Sequence, residues 1–106
     1  MAWTLLFLAG LLEVVWAFYM KRSEGFTLLM PTLVTFIAMF GSFFLLAVAM
    51  RSLPLGTSYT VWTGIGAVGA FIAGVVFLGE SVAPLRLTAA GLIVAGIVLM
   101  KFSSEA

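Results

Sequence analysis

The chain has 106 residues, of which 64% are hydrophobic and only 8% charged, and a net charge of +1. That leaves too little charged surface for a soluble domain and no basic patch for nucleic acid. It contains no Cys, His, Asp, Asn or Gln, which removes disulfides, zinc and haem ligands and the Ser-His-Asp or Cys-His nucleophiles. An integral membrane protein that is not an enzyme and uses no cofactor or metal is the expectation.

A helix needs about 20 residues to cross roughly 30 Å of hydrocarbon. The first apolar run predicts helix 1 from about Ala2 to Met20, and it stops at the polar turn Lys21-Arg22-Ser23-Glu24-Gly25. No basic residue precedes this run and Glu13 interrupts it, so a retained span is expected rather than a cleaved signal. Glu13 lies about mid-way along it, where an acid costs about 2.5–3.5 kcal/mol even on the lower scales. Packing glue between helices is one account of such a group; an ion or substrate site is the default one. Helical spacing puts Gly10, Glu13, Trp16, Ala17 and Met20 on one face, with the Trp16 indole N–H one turn from the carboxylate. An interfacial anchor, the alternative role for a tryptophan, suits Trp3 better than one this deep.

Helix 2 is predicted from about Pro31 to Met50, with Pro31 suited to the first helical position. Thr35, Met39 and Ser42 share a stripe on it. A lone serine in a membrane helix commonly bonds its own backbone carbonyl four residues back, so Ser42 is either spent that way or faces a site. The loop Arg51-Ser52-Leu53-Pro54-Leu55-Gly56 follows.

Helix 3, from about Thr57 to Leu78, places Tyr59, Trp62 and Gly66 along one wall. Gly64-Ile65-Gly66-Ala67-Val68-Gly69 matches the dinucleotide pattern G-x-G-x-x-G, but that fingerprint needs a preceding strand, and here it sits inside an apolar span. The glycines read as mechanical. Gly66, Ala70 and Gly74 form a ridge of small residues for close helix contact, and the cluster with Gly64 and Gly69 is a place for the helix to bend. Glu24, Glu80 and Glu105 read most simply as solvated loop or tail charges. Pro84 opens helix 4, which runs to about Lys101, and Ala89 with Gly96 offers a close helix–helix seam. Lys101 reads as a snorkelling anchor at a helix end.

With four spans and short loops, one four-helix transmembrane domain over residues 1–106 is predicted. Lys21, Arg22 and Arg86 fall on one membrane face, Arg51 and Lys101 on the other. A difference of one is a weak topological instruction, and charge counting alone leaves fixed and dual insertion both open. Four helices are few to enclose and gate a polar cavity, so a dimer is expected. Two copies in opposite orientations form the inverted pair typical of alternating-access transporters.

Taken together, Gly10-Leu11-Leu12-Glu13-Val14-Val15-Trp16-Ala17, Lys21, Gly25-Phe26, Ser42, Leu53-Pro54-Leu55-Gly56-Thr57, Tyr59 and Trp62-Thr63-Gly64-Ile65-Gly66 resemble the small multidrug resistance transporters over essentially the whole chain. Within that family the chain looks most like the guanidinium exporters. The resemblance implies an antiparallel, dual-topology homodimer of all-α four-helix subunits in the bacterial plasma membrane. It also implies exchange of protons for a small cationic substrate. Glu13 matches the family's essential carboxylate, and Trp16, Ser42, Tyr59 and Trp62 match residues that line its site. Exporters of polyaromatic cations usually carry an aromatic residue where Met39 stands and a small one where Trp16 stands; Lys101 also fits the guanidinium subtype. Phe18-Tyr19-Met20 departs from the family outside the site, which leaves fine selectivity open. On this reading Trp16, Trp62 and Ser42 donate hydrogen bonds to Glu13, for which protons and a planar guanidinium compete. The rivals are a broad quaternary-ammonium exporter, which needs aromatic faces more than donors, and, from another class, a structural subunit of a larger membrane complex.

Overall fold

The computed structural model describes residues 1–104 and, among them, four helices: α1 (Ala2–Arg22), α2 (Leu29–Ala49), α3 (Leu55–Leu78) and α4 (Pro84–Ser104). All four are long and apolar enough to cross a membrane. Glu105 lies outside the described residues.

The helices form a slab rather than a closed bundle, with principal extents of 45 × 34 × 16 Å. α2 and α3 both pack on α1 and scarcely meet each other, while α4 leans on α3. The core is small and lies where the first three helices converge, built from Leu6, Ala9, Leu46, Ala49, Val61 and Trp62. Outside it the large side chains face outward, among them Ile37 and Phe40 on α2, each 72% exposed, and Leu92 and Leu99 on α4. Such faces suit lipid or another protein surface.

α2 begins at Leu29 rather than Pro31, which therefore stands third in the helix. The change is free, because none of the first four N–H groups has a partner within the helix. The preceding turn, expected to be simply polar, is organised by a fully buried serine. Ser23 Oγ donates to the Met20 carbonyl at 2.7 Å and accepts the Phe26 N–H at 3.0 Å. Glu24, Gly25 and Phe26 all take left-handed backbone, with φ of 51°, 74° and 68°. Only glycine adopts this without steric cost. Phe26 is held there by stacking on Phe36, with ring centroids 5.5 Å apart.

Basic side chains gather at both ends of the helices. Lys21 and Arg86 line one cleft. At the other end the Lys101 ammonium lies over the Trp3 ring, 4.7 Å from its centroid.

Candidate transport site around Glu13

Glu13 extends from the middle of α1 toward α3 and lies against bare backbone. A Cβ added at Gly66 would collide with the Glu13 carboxylate. The glycine is therefore required by a side chain from α1. Close helix contact, one of the two roles expected of the cluster, takes the form of individual pairings. Gly69 receives Val14, Gly64 receives Ile97 and Ile93 of α4, and α3 runs unbroken from Leu55 to Leu78. Gly74 underlies the Glu80 carboxylate.

The Glu13 Oε1 atom is buried, and it has no hydrogen-bond partner among the described residues. Trp16 Nε1, one turn further along α1, is equally buried and equally unpaired. The expected indole-to-carboxylate bond is not made within one chain, among the described residues. A buried polar group left unpaired costs about 1–3 kcal/mol, and more when charged. Two such groups stand on adjacent turns of α1.

Ser42 is not spent on its own helix. It is fully buried, and its hydroxyl donates across to the Ala9 carbonyl of α1 at 2.7 Å. Its oxygen accepts the Trp62 indole N–H at 2.9 Å. Two of the three donors expected on the carboxylate are thus committed to a relay through all three core helices. The relay still ends at Glu13's own turn, because in α-helical register the Ala9 carbonyl is the acceptor for the Glu13 N–H. Thr35, by contrast, does bond its own helix, donating to the Pro31 carbonyl at 2.7 Å. Met39 lies half-buried one turn before Ser42.

An aromatic row continues from this relay. Trp16 meets Phe43 edge-on at 6.3 Å, Phe43 meets Trp62 at 5.8 Å, and Tyr59 lies 5.6 Å from Trp62. Tyr59 is 54% exposed and lines a cleft of about 570 Å³ with Thr63, Gly64, Gly96 and Met100. A Cβ at Gly96 would touch nothing within 4 Å, so the seam expected there is not with another helix of this chain.

Three participants escaped the sequence reading. Phe43 carried a signal only in following Ser42 in an apolar run. Ser58, fully buried with an unpaired hydroxyl, stands four residues before Trp62 on the same stripe. Glu80, read as a solvated charge, is half-exposed, laid on Gly74 and paired with Arg86 at 3.6 Å.

The family model for the Small Multidrug Resistance protein matches residues 1–94 of the chain. Proteins named "Guanidinium exporter" are similar to it throughout. The one from Yersinia pestis is 57% identical over 104 residues, 98% of this chain and 100% of that protein. Those from Citrobacter freundii and Salmonella typhimurium are 57% identical over 105 residues, 99% of this chain and 100% of each. A half-buried glutamate at mid-span, four membrane-length helices and full-length similarity agree, and the chain belongs to the small multidrug resistance family of membrane transporters.

Proposed function

We propose that the chain is a proton-coupled exporter of guanidinium and small substituted guanidinium ions, working by alternating access as an antiparallel homodimer in the bacterial plasma membrane. The observation that carries this reading is the half-buried Glu13, with one buried and unpaired carboxylate oxygen, deep in an apolar helix. The name borne by the 57%-identical relatives supports the choice of cation.

In a dimer two Glu13 carboxylates meet near the membrane midplane, one from each copy. A planar guanidinium presents N–H groups in the fork that carboxylates accept two at a time. The Trp16 N–H, unpaired in the single chain, is the donor left to meet a carboxylate oxygen. The Trp62–Ser42–Ala9 relay positions Glu13 through its backbone and does not touch the cation. A bare carboxylate at this depth is costly, whereas a protonated or cation-bound one is compensated. Protons and substrate therefore displace one another from the same two acids, and exchange needs no separate coupling device.

The aromatic row of Trp16, Phe43, Trp62 and Tyr59 favours a second reading, a broader exporter of quaternary ammonium ions held by cation–π contact. Reconstitution of Glu13→Gln tests the common core of both. Expected is no substrate-triggered charge movement on a supported membrane and no substrate binding, with the dimer intact by size. Exchange at an appreciable fraction of the parent rate would sink the shared-site mechanism.

A further inference from the structure

Two carboxylates in this chain rest on α3, and both rest on glycine. Glu13 lies against Gly66, and Glu80 lies against Gly74, where an added Cβ would come within 2.7 Å of the Glu80 carboxyl carbon. The two glycines are eight residues apart, about 12 Å along the helix, on the stripe that also carries Ala70. The placement of Glu80 is built by the end of α3. Gly79 takes left-handed backbone at φ 69°, and the Glu80 N–H turns back to the Gly74 carbonyl at 3.1 Å. The chain thus folds this carboxylate back over the end of the helix while leaving it half-exposed.

Beside Glu80 lies a cleft of about 330 Å³ that reaches α1 one turn beyond Glu13. Ala17, one turn beyond Glu13, lines it together with Ala67 and Ala70. Lys21, Glu80 and Arg86 line its polar end. The small side chains leave the space open.

The group now at the mouth is itself a guanidinium. Arg86 Nη1 donates to the Ser81 carbonyl at 2.8 Å, Arg86 Nη2 lies 3.6 Å from Glu80 Oε1, and Arg86 Cζ stands 4.9 Å from the centre of the Phe71 ring. Carboxylate, carbonyl and aromatic face are the three features that recognise a planar guanidinium. At 3.6 Å the ion pair is a charge contact without a hydrogen bond. Glu80 therefore keeps acceptor capacity that a second guanidinium can fill. Half-exposed pairs of this kind are weak and exchangeable. Lys21 in the same cleft opposes a resident cation, which suits a transient position rather than a tight one.

We propose that Glu80, with Phe71, is a second guanidinium-binding position at the cleft mouth, where the travelling cation exchanges with the side chain of Arg86 on its way to or from Glu13. The proposal rests on the reading of guanidinium as the substrate.

The test separates the two claims. Full-length Glu13→Gln protein, isotopically labelled on its amide nitrogens, is titrated with guanidinium chloride and, in parallel, with sodium chloride. Expected are saturable shifts at Gly74, Gly79 and Glu80 with guanidinium alone. They should vanish on adding Glu80→Gln and move to about two- to fivefold lower concentration on adding Arg86→Ala. With Glu13 intact, Glu80→Gln should raise the KM for guanidinium about two- to fivefold while the maximal charge movement is kept. Shifts equal to those with sodium, shifts that survive Glu80→Gln, or an unchanged KM would overturn the proposal. If the parent protein moves no charge with guanidinium, the transport reading fails, and the titration of Glu13→Gln still decides the role of Glu80.

Discussion

Trp62 donates its indole N–H to the Ser42 hydroxyl at 2.9 Å, and the same hydroxyl donates to the Ala9 carbonyl at 2.7 Å. One serine thus serves as acceptor for α3 and donor to α1. Removing it strands the Trp62 donor and takes from the Ala9 carbonyl its bond to α2. Ser42→Ala should strand the buried Trp62 N–H at a cost of about 1–3 kcal/mol and loosen the turn that carries Glu13. Trp62→Phe should cost less, because Ser42 keeps its bond to Ala9. Thermal unfolding in detergent, with charge movement in liposomes, checks both. Ser42→Ala with parental stability and transport would show that the relay does not position the site.

Gly66→Ala places a methyl group where the Glu13 carboxylate lies. α3 should stay helical, since alanine favours helix by about 1 kcal/mol over glycine, yet transport should fall at least about tenfold, the cost of misplacing a reacting group by about 1 Å being larger still. Gly56→Ala, with nothing within 4 Å of the added Cβ, is the matched control and should transport normally. Equal activity in the two variants would contradict the close approach of Glu13 to α3.

The elements were readable because membrane spans announce themselves by length and apolarity, and all four lie where the hydrophobic runs put them. The helix ends were less so. Pro31 looked like a first position and stands third, because backbone accounting tolerates it at either. Glu13 was legible as an acid with nothing else like it at depth. Its hydrogen-bond partners were not. Spacing puts Trp16 on its face, but whether an indole turns toward a carboxylate depends on neighbouring helices, and the Ala9 carbonyl that receives Ser42 has no side-chain signature at all. Glu80 is exposed in a loop as expected, but its contacts were not legible for a related reason. Its position depends on a left-handed Gly79 and a bare Gly74, and a charge in a loop looks solvated until the backbone fold is known.

Topology is tested by labelling. Three basic residues on one face against two on the other give little orientational bias. Single cysteines introduced into the first and second loops of this Cys-free chain should each label about half from outside with an impermeant reagent. Complete labelling of one loop and none of the other would rule out the antiparallel pair. Gly96→Ala adds a second probe. Its Cβ meets nothing in the single chain, so weakened self-association on size analysis would place Gly96 at a seam between copies.

Substrate choice is set by the balance between acceptor geometry and aromatic surface. On the proposed reading, two carboxylates with the Trp16 donor beside them would form an acceptor for planar N–H groups, and Met39 provides no flat ring on α2. Phe43, one turn beyond Met39, does supply a ring, but it is already engaged edge-on by Trp16 and Trp62 on either side. A large aromatic cation must break those contacts, each worth about 0.5–1.5 kcal/mol, before it can stack. Guanidinium needs no such opening, and the flexible Met39 thioether admits a single apolar substituent. Guanidinium and singly substituted guanidinium ions should therefore drive robust charge movement, small hydrophobic amines a weaker response, and tetraphenyl-type cations little. Phe43→Ala should raise the response to bulky cations relative to guanidinium by clearing the row. Strong transport of tetraphenyl-type cations by the parent, with none of guanidinium, would move the chain to the multidrug reading and leave its family unchanged.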